Sequence, residues 1–466
     1  MMDLTEIEGP AVDLPLLKSA HSFGTGNKQA TFGIGAPYLG PMLRVSSGQD
    51  IRFHVKNMID EVTTLHWHGL HIPGDVDGGP HQEIQPQDVW APIVPIRQRS
   101  SLNWFHAHTH GKTARQTYLG LAGVMQIEDS DSLSADLPKT YGIDDFVLVL
   151  QDKQFDSDGQ LVYQLTGEVF EEGFTGNRMV INGHVAPVTQ PVPKGLVRLR
   201  LLNACNARFL DLSWSDNRPV HVIASDGGFL SRREAVQSLT MTPGERYEIL
   251  VDMRQQSEAL LQVSDSDGGG EAEEMLGWMT NALMGPEPSN FSTTPVLTLI
   301  QNNSLPAYDG VLPDTLGQLA SPDTEQVIRR RQFELNMGDG EDLAALAAAW
   351  GNLCGNGSMS INGRPMNMDI VNEEVAIGET EIWEISADDQ DHPFHIHGCS
   401  FRILKQQGDV PPAYASGWKD MVTVGEGTSE VLVRFDHKAT KDAPYMYHCH
   451  ILEHEDCGMM GQFTVT

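Results

Sequence analysis

Apolar and polar residues alternate along most of this chain, and Gly, Pro, Asn or Asp interrupt the alternation about every ten residues. Side chains on a strand point to opposite faces in turn, so the pattern predicts short strands with one face buried. In LRVSSGQDIRFHVKNMIDEVTTLHWHGLHI (43–72), the buried face is Ile51, Phe53 and Val55. The same turn, alternating strand, loop and second strand recur at 191–228 (Val197, Leu199, Leu201) and at 371–404 (Trp383, Ile385). A unit written three times, at about 150 residues each, predicts an all-β protein of three Greek-key β-sandwich domains. The expected boundaries are 1–140, 141–305 and 306–466, the last opening on a Pro/Ser/Asp-rich linker over about 306–330. Helical signals are few: EDLAALAAAW (341–350) and, more weakly, EEMLGWMTNALMG (273–285).

Composition narrows the partners. With 466 residues and a net charge of −32, nucleic acid and anionic membrane surfaces are excluded as partners. No run of eighteen apolar residues offers a membrane span. The N-terminal MMDLTEIEGPAVDLP is acidic and has neither the basic nor the apolar region of a secretory signal. Five scattered cysteines do not make a disulfide framework, and their pairing is unreadable.

Ten of the eighteen histidines fall in four short clusters: His66 and His68; His106 and His108; His392, His395 and His397; His448, His450 and His454. The first and third repeats carry them, while the middle one carries none. Surface polarity does not explain that distribution; a metal site between the first and third domains does. In YHCHILEHEDCGMM (447–460), Cys449 stands between two histidines. If 448–450 is extended, His448 and His450 project from one face and Cys449 from the other. One thiolate, two imidazoles and a distant thioether make the trigonal blue-copper set, here Cys449, His454, Met459 and His392. The other side then holds eight imidazoles, too many for one ion and suited to about three coppers.

The motifs HWHG, HAH, HPFHIH and HCHILEHEDCGMM stand here in the order found in the multicopper oxidases, which the chain resembles over nearly its whole length. It is similar in particular to the bacterial copper efflux oxidases, which are periplasmic and oxidise cuprous ion. PGDVDGGP, GKTARQ, LRLLNACNAR and AYASGWKD extend the likeness beyond the ligands. The resemblance implies cupredoxin-like domains and four copper ions. Type 1 would lie on His392, Cys449, His454 and Met459, and type 2 on His66 and His395. The type 3 pair would use His68, His106 and His450 on one ion and His108, His397 and His448 on the other. It further implies one-electron oxidation at type 1, transfer through Cys449 to His448 and His450, and reduction of O₂ to water. Asp77 and Glu455 match the family's proton-handling positions.

The likeness loosens at the donor end. Met337, Asp342 and Asp388 match three of the family's four Cu(I)-docking positions, but Gln390 replaces the second methionine, and an amide is a poorer Cu(I) ligand. The family's Met/His-rich cover is replaced by EDLAALAAAWGNLCGNG, which contains neither residue. These departures predict an open type 1 edge and a laccase-like oxidase of phenols and aromatic amines, with Asp388 taking a phenolic proton. Met275, Met279 and Met284 are expected to pack a core or lid rather than relay copper. The competing expectations are a dedicated cuprous oxidase and a non-catalytic copper-binding protein of the same fold. The protein is expected to be monomeric and periplasmic or secreted, its export signal absent from this sequence, with cytoplasmic residence left open.

Overall fold

The computed structural model describes residues 4–165, 167–265, 293–337 and 359–466. Both expected helices, 273–285 and 341–350, lie outside the described residues, as do Met275, Met279, Met284 and Asp342. Among the described residues, six sheets form three face-to-face pairs. The first pair joins Glu6–Ile7, Met42–Ser46, Ala122–Glu128, Ser101–His106 and His66–His68 against a sheet built on Ala11–His21 and Asp50–Met58. The second pair is an eight-stranded sheet centred on Leu196–Asn203 and a five-stranded sheet through Thr294–Gln301. The third stacks Val327–Met337 and Thr380–Ala387 on Tyr445–Cys449 and His392–Ile396.

Each pair closes over its own core. Ile51, Phe53 and Val55 lie at the first, Val197, Leu199 and Leu201 at the second, and Trp383 and Ile385 at the third. Full burial of each such side chain contributes roughly 1.5–3 kcal/mol. The strand Asp50–Met58 alternates buried and exposed positions as its sequence predicts.

Leu196–Asn203 departs from that simple alternation, because all eight of its residues are buried. Its polar face is covered by charge pairing rather than by water. Arg198 Nε donates to Glu248 at 2.7 Å, and Arg200 reaches Asp145 at 2.8 Å and, in the first sandwich, Gln126 at 2.8 Å. A further apolar cluster, including Phe23, Tyr38, Trp104 and Val149, joins the first and second sandwiches. The third sandwich closes the ring of contacts through its histidine strands.

Candidate metal centres

Strand register delivers the histidines. In the first sandwich His66 pairs with His106, His68 with Trp104, and Trp67 with Phe105. Directly paired residues share a face, so His66, His68, His106 and Trp104 project together. Trp67 and Phe105 point into the core of the first sandwich. In the third sandwich His395 pairs with His448, and Phe394 with Cys449. His395, His397 and His448 therefore face the first sandwich, while His392, Phe394 and Cys449 face the other way. The expected division of 448–450 into two sides is the geometry found, and Phe394 packs the third core.

On the Cys449 side, three donors converge. Cys449 Sγ lies 3.5 Å from His392 Nδ1 and 3.8 Å from His454 Nδ1, and the two Nδ1 atoms are 3.3 Å apart. His454 comes from the short helix Leu452–Asp456, whose first turn carries Glu453 and Glu455. Met459 is fully buried in the same core. Its carbonyl accepts from Cys449 N at 3.1 Å, while its own N–H donates to His454 O at 3.0 Å.

The histidine side is larger and has no exposed ligand. His108, His397 and His448 bring their Nε2 atoms into a triangle with sides of 3.2, 3.2 and 3.3 Å. Two of these rings have the other nitrogen committed as a donor: His397 Nδ1 to Asp77 Oδ2 at 2.8 Å, and His448 Nδ1 to Cys449 O at 2.8 Å. Their Nε2 atoms then carry lone pairs, and facing lone pairs repel unless a cation lies between them. A second group gathers His66, His68 and His106, and a third gathers His66, His395 and His397. His66, His106 and His395 each donate from Nδ1 to a backbone carbonyl, of Asp77, Ala107 and Asp420 respectively. Their Nε2 atoms have no hydrogen-bond partner. His450 lies beside His68 and His106, with ring centroids 5.1 and 5.6 Å away, and neither of its ring nitrogens has such a partner. Buried nitrogens without partners are costly, and a pattern of one nitrogen tied and the other free is that of metal-bound imidazole. The donor set fits copper.

Three carboxylates support the rings. Asp77 is delivered by a turn that only glycine can follow: Gly78 has φ +80°, and a Cβ there would sit 1.8 Å from Leu65 O. Glu455 lies 3.1 Å from His108 Nδ1 and 3.2 Å from His448 Nδ1, off the hydrogen-bond line. Burial pushes its carboxyl well above the usual range, and nearby Asp456 and Glu453 push it further. Asp420 was not legible as a site residue. It accepts from His68 Nε2 at 3.1 Å, which leaves Nδ1 of that ring free, and it is gripped by Arg246 of the second sandwich at 2.6 Å.

At the donor end, Asp388 is exposed, and it is Asp389 that contacts His392 Nε2, at 3.0 Å. Burial raises the Asp389 carboxyl, but its bond to His392 and that ring's charge outweigh it, and the net shift is downward. His454 Nε2 donates to the carbonyl of Glu171 at 3.1 Å, and Gln390 Nε2 donates to the same oxygen. The outer nitrogens of both imidazoles on the Cys449 side are thus capped by protein, where an open edge was expected. Met337 is half-buried against the third core. His71 and His81 bond Ser400 and Gln462, and His110 is exposed. Cys399 and Cys457 are both buried.

Two family models describing multicopper oxidases match the chain, at residues 17–132 and 336–466. A laccase-like multi-copper oxidase, CueO, from the lignin-degrading bacterium Ochrobactrum sp. superposes with a TM-score of 0.89 at 40% identity, covering 100% of both chains. A multicopper oxidase from Campylobacter jejuni, described as a metallo-oxidase, superposes at 0.81 with 25% identity, covering 98% of this chain and 91% of that one. The cell division protein FtsP of Dickeya dadantii is 36% identical over 97% of this chain and 89% of its own length. Its Escherichia coli counterpart is 35% identical over 96% and 88%.

Proposed function

The chain belongs to the multicopper oxidase family, and we propose that it is a laccase-like oxidase, coupling one-electron oxidation of phenols and aromatic amines to the reduction of O₂ to water. The observation that carries this reading is the pair of converging donor sets on opposite faces of one strand, joined through Cys449 and its two neighbours. In this reading His392, Cys449, His454 and Met459 hold one copper. His66 and His395 hold a second, while His68, His106 and His450 hold a third and His108, His397 and His448 a fourth. When bound, the first copper supplies a one-electron acceptor and the other three an oxygen-reducing centre.

The residues themselves do the rest. The Cys449 side chain and the backbone to His448 and His450 form a short covalent path between the two sites. Four protons must enter a buried site for each O₂ reduced. Glu455, kept protonated by burial, holds one between the outer nitrogens of His108 and His448. Glu455→Gln keeps the shape but cannot release a proton, so oxygen uptake is expected to fall by roughly 10²–10⁴-fold. The blue colour, set on the other face, should remain. Asp77 fixes the His397 ring and carries the carbonyl that fixes His66. Asp77→Asn is expected to weaken copper retention by about 10–100-fold, read by competition with a chelator.

Electrons enter past Asp389, Gln390 and the Glu171 carbonyl rather than at a bare imidazole edge. The acids Asp388, Asp389 and Asp391 in this loop favour neutral and positively charged donors over anionic ones. Likeness to the Ochrobactrum enzyme, described as active on lignin model compounds and lignosulfonate, supports organic donors. The test compares a substituted phenol with Cu(I) as the donor for oxygen uptake by the copper-loaded protein. A Cu(I) efficiency far above that of the phenol would make the protein a cuprous oxidase instead. In that comparison Gln390→Met should raise the Cu(I) rate.

The name of the FtsP relatives favours a second reading, a role in cell division. Copper-loaded protein that takes up no oxygen with either donor would support it.

A further inference from the structure

A cavity of about 630 Å³ opens between the first and third sandwiches and is closed on one side by the linker at Ala320–Asp323. That volume suits a small organic ligand. Its charge is unusual for this protein. In a chain of net charge −32, four arginines line the cavity against two aspartates. Arg97 is paired with Asp50, which lies outside the lining, and Arg434 with Asp436 at 2.8 Å.

The other two arginines have no carboxylate partner among the described residues. Arg402 donates to the carbonyls of Ala320 and Ser416, at 2.8 and 2.7 Å, and lies 5.6 Å over the Trp418 ring. Arg99 is exposed and close enough to Arg402 that its charge, after burial, helps to push the Arg402 pKa down. Two unpaired like charges sharing one concave space repel each other, and the cavity walls focus their field. An anion between them removes that cost.

Apolar surface lies on the same wall: Leu432 is the cross-strand partner of Arg402, and the Trp418 ring lies beneath its guanidinium. His71 and His437 also face the cavity, and burial lowers both pKa values, His71 to about 4. They are therefore neutral at pH 7 and offer hydrogen bonds without adding charge.

We propose that this cavity binds a small aryl anion, a carboxylate or sulfonate, with the anionic group between Arg99 and Arg402 and the ring against Trp418. The site is separate from both metal centres and from the donor end, so the proposal stands whatever the electron donor is. Its floor is the pair of loops that follow His68 and His397. Gln98 donates to Gly69 O at 2.8 Å and accepts from His71 N at 2.8 Å.

The test is calorimetric titration of the copper-loaded full chain with benzoate and with benzenesulfonate. Benzyl alcohol and inorganic sulfate serve as neutral and non-aromatic controls. Saturable binding of at least one aryl anion is expected, about tenfold or more tighter than either control. Arg99→Gln, at an exposed position that the fold does not depend on, should weaken it by about tenfold or more. Arg402→Gln should do the same, and tryptophan fluorescence should change on binding. No saturable binding of either aryl anion, equal binding of benzyl alcohol or of sulfate, or unchanged affinity in Arg99→Gln would each overturn the proposal.

Discussion

Cys449→Ser should give a folded, colourless protein that holds one copper fewer per chain and no longer couples phenol oxidation to oxygen uptake. Serine fits the space, and its hydroxyl can still accept from Ile451 N, which lies 3.3 Å from the sulfur in the native protein. What it cannot supply is a soft anionic donor. Burial raises the Cys449 thiol well above its usual range, so only a bound cation makes the thiolate accessible there. A buried serine hydroxyl is a far weaker acid and a hard ligand. Uptake is expected to fall by at least about 10³-fold, the scale on which loss of an essential catalytic group acts. The histidine clusters on the far face of the strand should be undisturbed, so copper retention there separates this outcome from misfolding. Retained blue absorbance or undiminished uptake would remove the Cys449 centre from the reading.

The two-sided strand is legible in the sequence because its period of two is written in the order His, Cys, His. The same alternation is why Trp67 and Phe394 lie in cores. Other parts of the site carry no local signature. Asp420 lies 352 residues from the ring it orients, and Arg246, which holds it, belongs to the sandwich that contributes no histidine. Only the placement of the second sandwich against the other two connects them. The cap on His454 is the backbone carbonyl of Glu171, an atom every residue possesses, so no pattern of side chains announces it. The contact between Asp389 and His392 depends on how the loop turns before the strand. Adjacent acids at 388 and 389 gave the sequence no means of choosing between them.

Acid should unfold the metal-free protein well before it unfolds the copper-loaded one. Seven histidines of the cluster, His68, His106, His108, His395, His397, His448 and His450, have pKa values depressed first by burial. Neighbouring imidazoles lower them further, and His448 falls to about 3. In the unfolded chain each takes a proton near pH 6.5. Below that value the unfolded state binds more protons than the folded one, so stability falls as pH falls, by up to about 1.4 kcal/mol per unit for each ring. Three buried acids act in the opposite sense. Burial raises Glu453 and Glu455, and raises Asp456 to about 7. Each holds its proton in the fold where the unfolded chain has lost it, so its contribution is recovered as pH falls through that window. Seven depressed bases outnumber three raised acids, and the net slope below pH 6.5 is a loss of a few kcal/mol per unit. The folded rings are already unprotonated in this window, so bound copper displaces no proton from them; it adds stability at every pH and leaves the slope nearly unchanged. Melting of metal-free and copper-loaded protein at pH 7.5 and 5.5 measures both effects. Both midpoints should drop between pH 7.5 and 5.5, with the copper-loaded one higher at each pH. A copper-loaded midpoint no higher than the metal-free one would mean that copper does not occupy the cluster nitrogens.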